Sequence, residues 1–199
     1  MSSLRRPPRS SAATAGARAA LRAAAPRPRP RPRLGARAAD VAAAGIRLLV
    51  LDVDGVLTDG RLHYGPRGET LKVFHVRDGH GIRALGRLGV EFAILSGRKS
   101  VAVERRAHDL GIAHVLLGID DKLSAFDRLR TRLGLARAQC ACVGDDTPDV
   151  PVMRAAGLAF AVADAHEDAL AAADVVTRLR GGQGAVREIC DRLVAARGR

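Results

Sequence analysis

The chain has 199 residues, enough for one domain and too few for two large ones, and no stretch is long and apolar enough to span a bilayer. Its formal net charge of +12 is unevenly carried: residues 1–39 hold ten Arg and no acidic residue, so the remainder has 23 basic against 21 acidic groups. A nucleic-acid-binding domain keeps a basic excess on its folded face, so this near-neutral remainder argues against nucleic acid as its partner.

Residues 1–39 are mostly Ala, Arg and Pro and contain six of the nine prolines. The Pro-Arg alternation at 26–33 cannot form a helix and favours extended polyproline backbone. The segment lacks the apolar content that offsets ordering entropy, and a disordered tail is predicted there, followed by one domain over 40–199. Its Arg-rich, acid-free character leaves three readings open: a transit-type leader, translation of a GC-rich coding sequence from an early start, or weak contact with RNA or anionic lipid.

Beyond residue 40, short apolar runs alternate with helical patterns, which predicts an α/β fold around a parallel sheet with helices on both faces. Ile46–Leu51 is nearly all aliphatic and reads as a strand buried on both faces. Leu62–Tyr64 and Thr70–Phe74 flank Gly65-Pro66-Arg67-Gly68, a β-hairpin pattern. A helix is predicted from about 77 to Leu88, a strand over Glu91–Leu95, a helix to Leu110 capped by Gly111, and a strand over His114–Leu117. A helix over 123–133, a strand over Gln139–Val143 and a helix entered through Pro148 follow. Strands at Leu158–Val162 and Asp174–Val176, a short helix between them and a last helix over 185–197 complete the pattern.

Cys140, Cys142 and Cys190 are odd in number, and two of them alternate in an apolar run. Buried thiols in a reducing, cytoplasmic compartment are therefore expected, and no zinc site. The six histidines show no pairing at metal-ligand spacing.

The first strand ends in Asp52-Val53-Asp54-Gly55. Two like charges this close repel unless a cation lies between them, and oxygen-only ligation suits Mg²⁺. A Ca²⁺ loop counted from Asp52 would need Glu at its twelfth place, which His63 occupies. Further strands end in Ser96-Gly97-Arg98-Lys99 and in Gly144-Asp145-Asp146-Thr147-Pro148-Asp149, and Lys122 stands at a helix start. Parallel strands deliver their carboxyl ends to one edge, so these groups are expected to converge there.

The set Asp-x-Asp-Gly, Leu-Ser-Gly-Arg, a downstream Lys and Gly-Asp-Asp-x-x-Asp resembles the haloacid dehalogenase superfamily of phosphatases over residues 45–199. Residues 76–83, 144–153, 161–166 and 181–191 are similar to the 3-deoxy-D-manno-octulosonate 8-phosphate phosphatase family, an uncapped branch of it. The resemblance implies a Rossmann-like fold with a hairpin flap and no cap. It implies Mg²⁺ on the Asp52 carboxylate, the Asp54 carbonyl and the Asp145 carboxylate, with Asp149 bonding metal-bound water and Asp146 supporting the loop. Asp52 would be the nucleophile and Asp54 the acid and then base. Ser96 and Lys122 would bind phosphoryl oxygens, as charge stabilisation of phosphoryl transfer requires.

Only 41 residues separate Asp54 from Ser96, so no cap domain fits between them. The resemblance implies a homotetramer whose neighbouring subunits help close each site. Arg77, Asp78, Gly79, His80, Arg98, Lys99 and Arg187 are the candidates to meet the anionic sugar acid, since Arg pairs with a carboxylate in bidentate fashion. The expected activity is Mg²⁺-dependent hydrolysis of 3-deoxy-D-manno-octulosonate 8-phosphate on the route to lipopolysaccharide. The competing readings are a nonulosonate 9-phosphate as substrate and a non-catalytic binding module.

Overall fold

The computed structural model describes residues 34–198. Six parallel strands form the central sheet in the order β5-β4-β1-β6-β7-β8. They are β1 (Leu48–Leu51), β4 (Glu91–Ser96), β5 (His114–Leu117), β6 (Cys140–Gly144), β7 (Leu158–Ala161) and β8 (Val175–Val176). A separate antiparallel hairpin, β2 (His63–Gly65) and β3 (Gly68–Leu71), stands on the chain between β1 and the first crossover helix. The helices are α1 (Ala36–Ala44), α2 (Val76–Gly86), α3 (Val101–Leu110), α4 (Lys122–Arg132), α5 (Val150–Ala155), α6 (Glu167–Ala172) and α7 (Ala185–Arg197).

Side-chain alternation along the strands sorts the core into two layers. Leu49 and Leu51 of β1, Ile94 of β4 and Val143 of β6 face the layer that holds α1, α2, α3 and α7. Leu48, Val50, Ala93, Leu95, Cys140 and Cys142 face the other, against Phe126 and Leu129 of α4 and Met153 of α5. Being covered on both sides is why β1 is aliphatic throughout and fully buried.

The sequence pattern places β5, α7 and the terminating Gly111 correctly, the last with φ +73° at the end of α3. The predicted β1, β2 and β3 boundaries differ by one to three residues. The helix predicted from Pro148 starts as a 3-10 turn over Thr147–Asp149 before α5 begins. The larger difference is α1. It begins inside the segment assigned to the tail, and its Ala39 and Ala43 are buried in the first layer. Leu34 donates its N–H to Asp174, and Asp40 pairs with Arg192 of α7 at 2.9 Å, so the packed part of the chain begins before residue 40. The Pro-Arg run and everything before it lie outside the described residues.

Cys140, Cys142 and Cys190 are free and buried, and burial pushes the Cys140 thiol up to about 11. Among the described residues no helix is long and apolar enough to cross a membrane.

Candidate active site

β1 lies in the middle of the sheet, pairing with β4 on one side and β6 on the other. The chain winds outward from β1 in one direction through β4 and β5, and in the other through β6, β7 and β8. Such a reversal opens a crevice at the carboxyl ends of the strands, where this fold class binds ligands. Leu51 pairs with Ile94 and with Val143, so Asp52, Ser96 and Asp145 leave three adjacent strands at nearly the same level.

Asp52 is 8% exposed, and Lys122, at the first position of α4, is 7% exposed. The Lys122 ammonium donates to Asp52 Oδ1 at 2.8 Å and to Asp149 Oδ1 at 2.7 Å. Asp149 Oδ2 in turn accepts the N–H of Asp145 at 3.1 Å, which fixes the β6 loop. Carboxylate oxygens of Asp52, Asp145 and Asp149 all lie within 4.8 Å of one another. Burial and the neighbouring Asp149 push Asp52 up to about 6; burial, Asp52 and Asp149 push Asp145 up to about 8. One lysine does not balance three carboxylates, two of them buried and Asp145 partly so, and an all-oxygen cluster of this kind fits Mg²⁺.

Two glycines make room for the cluster. Gly55 has φ +93°, and a Cβ there would lie 2.1 Å from Asp145 Oδ2. A Cβ on Gly144 would meet Asp149 Cβ at 2.4 Å. Asp146 is exposed and caps the turn by accepting the Thr147 N–H at 2.7 Å. Asp149, expected to bond metal-bound water, anchors Lys122 and the Asp145 backbone.

Asp54 sits apart from that cluster in a second charged network. Its Oδ1 accepts from Lys72 Nζ, and its Oδ2 lies 3.4 Å from Arg98 Nε. Glu69 ties the two cations together, to Lys72 at 2.9 Å and to Arg98 at 2.8 Å, and Arg98 also donates to the Tyr64 hydroxyl at 3.2 Å. Lys72, Glu69 and Tyr64 come from the hairpin, so the flap is fastened to the end of β1 by ion pairs. Sequence reasoning missed Lys72 and Glu69. The available signal was that Lys72 is one of only three lysines in an Arg-rich chain.

Ser96 is buried at the end of β4, its hydroxyl accepting the Arg98 N–H at 3.3 Å. Arg98, expected to face the sugar acid, is engaged with Asp54, Glu69 and Tyr64. Exposed Lys99 lays its aliphatic stem over Gly118.

Four further sugar-acid candidates are engaged elsewhere in the chain or line a different cavity. Asp78 is 2% exposed and accepts the Arg187 N–H at 2.7 Å, so it holds the start of α7 and is closed to solute. Gly79 is buried, and a Cβ there would meet Arg106 Nη2 at 2.5 Å, which makes it a close-packing position between α2 and α3. Arg77 and Arg187 line an open cavity of about 800 Å³ beside β8 and α7, and none of Asp52, Asp54, Asp145 or Lys122 lines it. Arg187 is paired with Asp191 at 2.7 Å. His80 is exposed on α2.

A buried carboxylate at the end of β1, a lysine on it and an acidic loop after β6 define a haloacid dehalogenase-like hydrolase, and the profile of that description matches residues 117–189. The 3-deoxy-D-manno-octulosonate 8-phosphate phosphatase KdsC of Escherichia coli K12 is 52% identical over 157 residues, covering 79% of this chain and 84% of the relative. The Yersinia pestis phosphatase of the same description superposes with TM-score 0.79 at 48% identity, over 81% of this chain and 87% of that one. The Moraxella catarrhalis phosphatase, solved with magnesium, phosphate and KDO, superposes with TM-score 0.80 at 41% identity, over 82% and 94%. The chain belongs to the 3-deoxy-D-manno-octulosonate 8-phosphate phosphatase family.

Proposed function

We propose that this chain is a Mg²⁺-dependent phosphomonoesterase that releases phosphate from 3-deoxy-D-manno-octulosonate 8-phosphate. The observation that carries the reading is the Asp52–Lys122–Asp149 chain beside Asp145 at the carboxyl edge of β1 and β6, in a chain 52% identical to KdsC.

Asp52, Asp145 and the Asp54 carbonyl, supported by Asp149, would hold Mg²⁺, which would supply positive charge against the phosphoryl oxygens. Lys122 holds Asp52 Oδ1, which leaves Oδ2 as the attacking oxygen. Attack on phosphorus forms an aspartyl-phosphate and breaks the bond to the sugar oxygen. Asp54 delivers a proton to that oxygen, then takes one from the water that releases phosphate from Asp52. Ser96 and Lys122 bind the phosphoryl oxygens as charge builds on them.

The enzyme is read as a cytoplasmic homotetramer. Three free buried thiols support a reducing compartment. Among the described residues the site has no cap, and Leu62, Tyr64, Leu71, Val73 and Val76 on and flanking the hairpin are 45–78% exposed, an apolar strip suited to a neighbouring subunit.

A substrate panel with phosphate release as readout tests the reading. The octulosonate 8-phosphate is expected to have the highest kcat/KM, by at least about tenfold over a nonulosonate 9-phosphate. The opposite order would assign the second substrate.

A further inference from the structure

Lys72 lies outside the phosphate-binding cluster, yet its side chain is only 2% exposed. It follows β3 directly and points into the molecule, donating to Asp54 Oδ1 and to Glu69 Oε1. An ammonium withdrawn from water this far is costly unless both of its neighbours are charged and well placed. The chain uses Arg thirty times and Lys three times, and a compact donor with three freely directed protons suits two carboxylates at different angles better than a planar fork.

The two oxygens of Asp54 are unequally treated. Oδ1 is held by Lys72; Oδ2 is buried, lacks a hydrogen-bond partner and is covered by Arg98 at 3.4 Å. We propose that Lys72 is a positioning residue for the acid step: it pins Asp54 Oδ1 and so leaves Oδ2, the oxygen without a hydrogen-bond partner, as the one that carries the proton to the leaving group. Lys72 itself touches neither substrate nor the phosphoryl group. Because it arrives on the hairpin, the flap sets the aim of the acid as well as bordering the site.

The inference rests on Asp54 acting as the acid in the proposed reaction, and its signature is leaving-group dependence. An alkyl sugar oxygen needs a proton as the bond to phosphorus breaks, whereas p-nitrophenolate leaves without one. kcat/KM reports the steps up to formation of the aspartyl-phosphate, which include departure of the leaving group. Lys72→Met should therefore lower kcat/KM for the octulosonate phosphate by about a hundredfold and for p-nitrophenyl phosphate by less than about fivefold. The Mg²⁺ concentration at half-maximal rate should stay unchanged. Lys72→Arg, which keeps the charge and the buried pairing, is the second variant should Lys72→Met fail to fold; the same inequality between the two esters is expected in milder form. Equal losses on both esters, or no loss on the sugar phosphate, overturn the proposal. If the unsubstituted enzyme does not hydrolyse the octulosonate phosphate, the substrate assignment falls. The comparison then proceeds with whichever alkyl phosphate it turns over best.

Discussion

Lys122 and Asp52 form a buried ion pair at 2.8 Å, although 70 residues separate them in the chain. The pair joins the start of α4 to the end of β1, and its second arm to Asp149 reaches the turn after β6. One ammonium therefore organises Asp52 and the acidic loop together.

Removing that ammonium leaves buried carboxylates without their partner, which costs about 3–5 kcal/mol when an ion pair is well sequestered. Lys122→Met should destabilise the metal-free protein by about that amount in urea titration and lower kcat at least about a hundredfold. Lys122→Arg should regain part of the stability and little of the activity, because a planar fork cannot take the place of a point donor between Asp52 and Asp149.

The same cluster makes metal-free stability depend on pH. Asp52 is raised to about 6 by burial and Asp149, and Asp145 to about 8 by burial, Asp52 and Asp149, against ordinary values near 3.8. Between those limits the folded protein holds more protons than the unfolded chain, so stability falls as pH rises. The cost is absent below the ordinary value and complete above about pH 8. Magnesium competes with those protons and removes the cost when bound. The Tm of metal-free protein should fall from pH 5 to 8, and the rise in Tm on adding Mg²⁺ should grow over the same window. A rise independent of pH would show that the metal does not bind at these carboxylates.

Asp78 gives a prediction of the opposite kind. Its carboxylate accepts the Arg187 N–H in the first turn of α7 from across the α2–α7 contact. Asp78→Ala should cost about 1–3 kcal/mol by leaving that donor buried without a partner. It should change KM for the sugar phosphate less than twofold, as roughly expected of a residue outside the site. A large KM effect with unchanged Tm would return Asp78 to the substrate.

The strands of the central sheet and the convergence of Asp52, Ser96, Lys122 and Asp145 are legible in the sequence. The aliphatic run of β1 and the polar ends of successive strands follow from one-dimensional pattern alone. What was not legible depends on tertiary docking. α1 hides in an Ala- and Arg-rich composition, and only its packing on α7 makes Ala39 and Ala43 core residues. Asp78 lies in a string of polar residues that looks exposed, and the approach of α7 turns it inward. Lys72 carries no local sign of its partner eighteen residues earlier, because the hairpin must fold back before the two meet.

The central claim is that Asp52 makes the covalent bond to phosphorus. Phosphate release from 3-deoxy-D-manno-octulosonate 8-phosphate with saturating Mg²⁺, compared between the unsubstituted enzyme and Asp52→Asn, tests it most directly. The account predicts that the variant keeps its fold by circular dichroism and loses at least about 10⁴-fold in kcat, the scale seen when a covalent nucleophile is deleted. Turnover by Asp52→Asn close to that of the unsubstituted enzyme would contradict it.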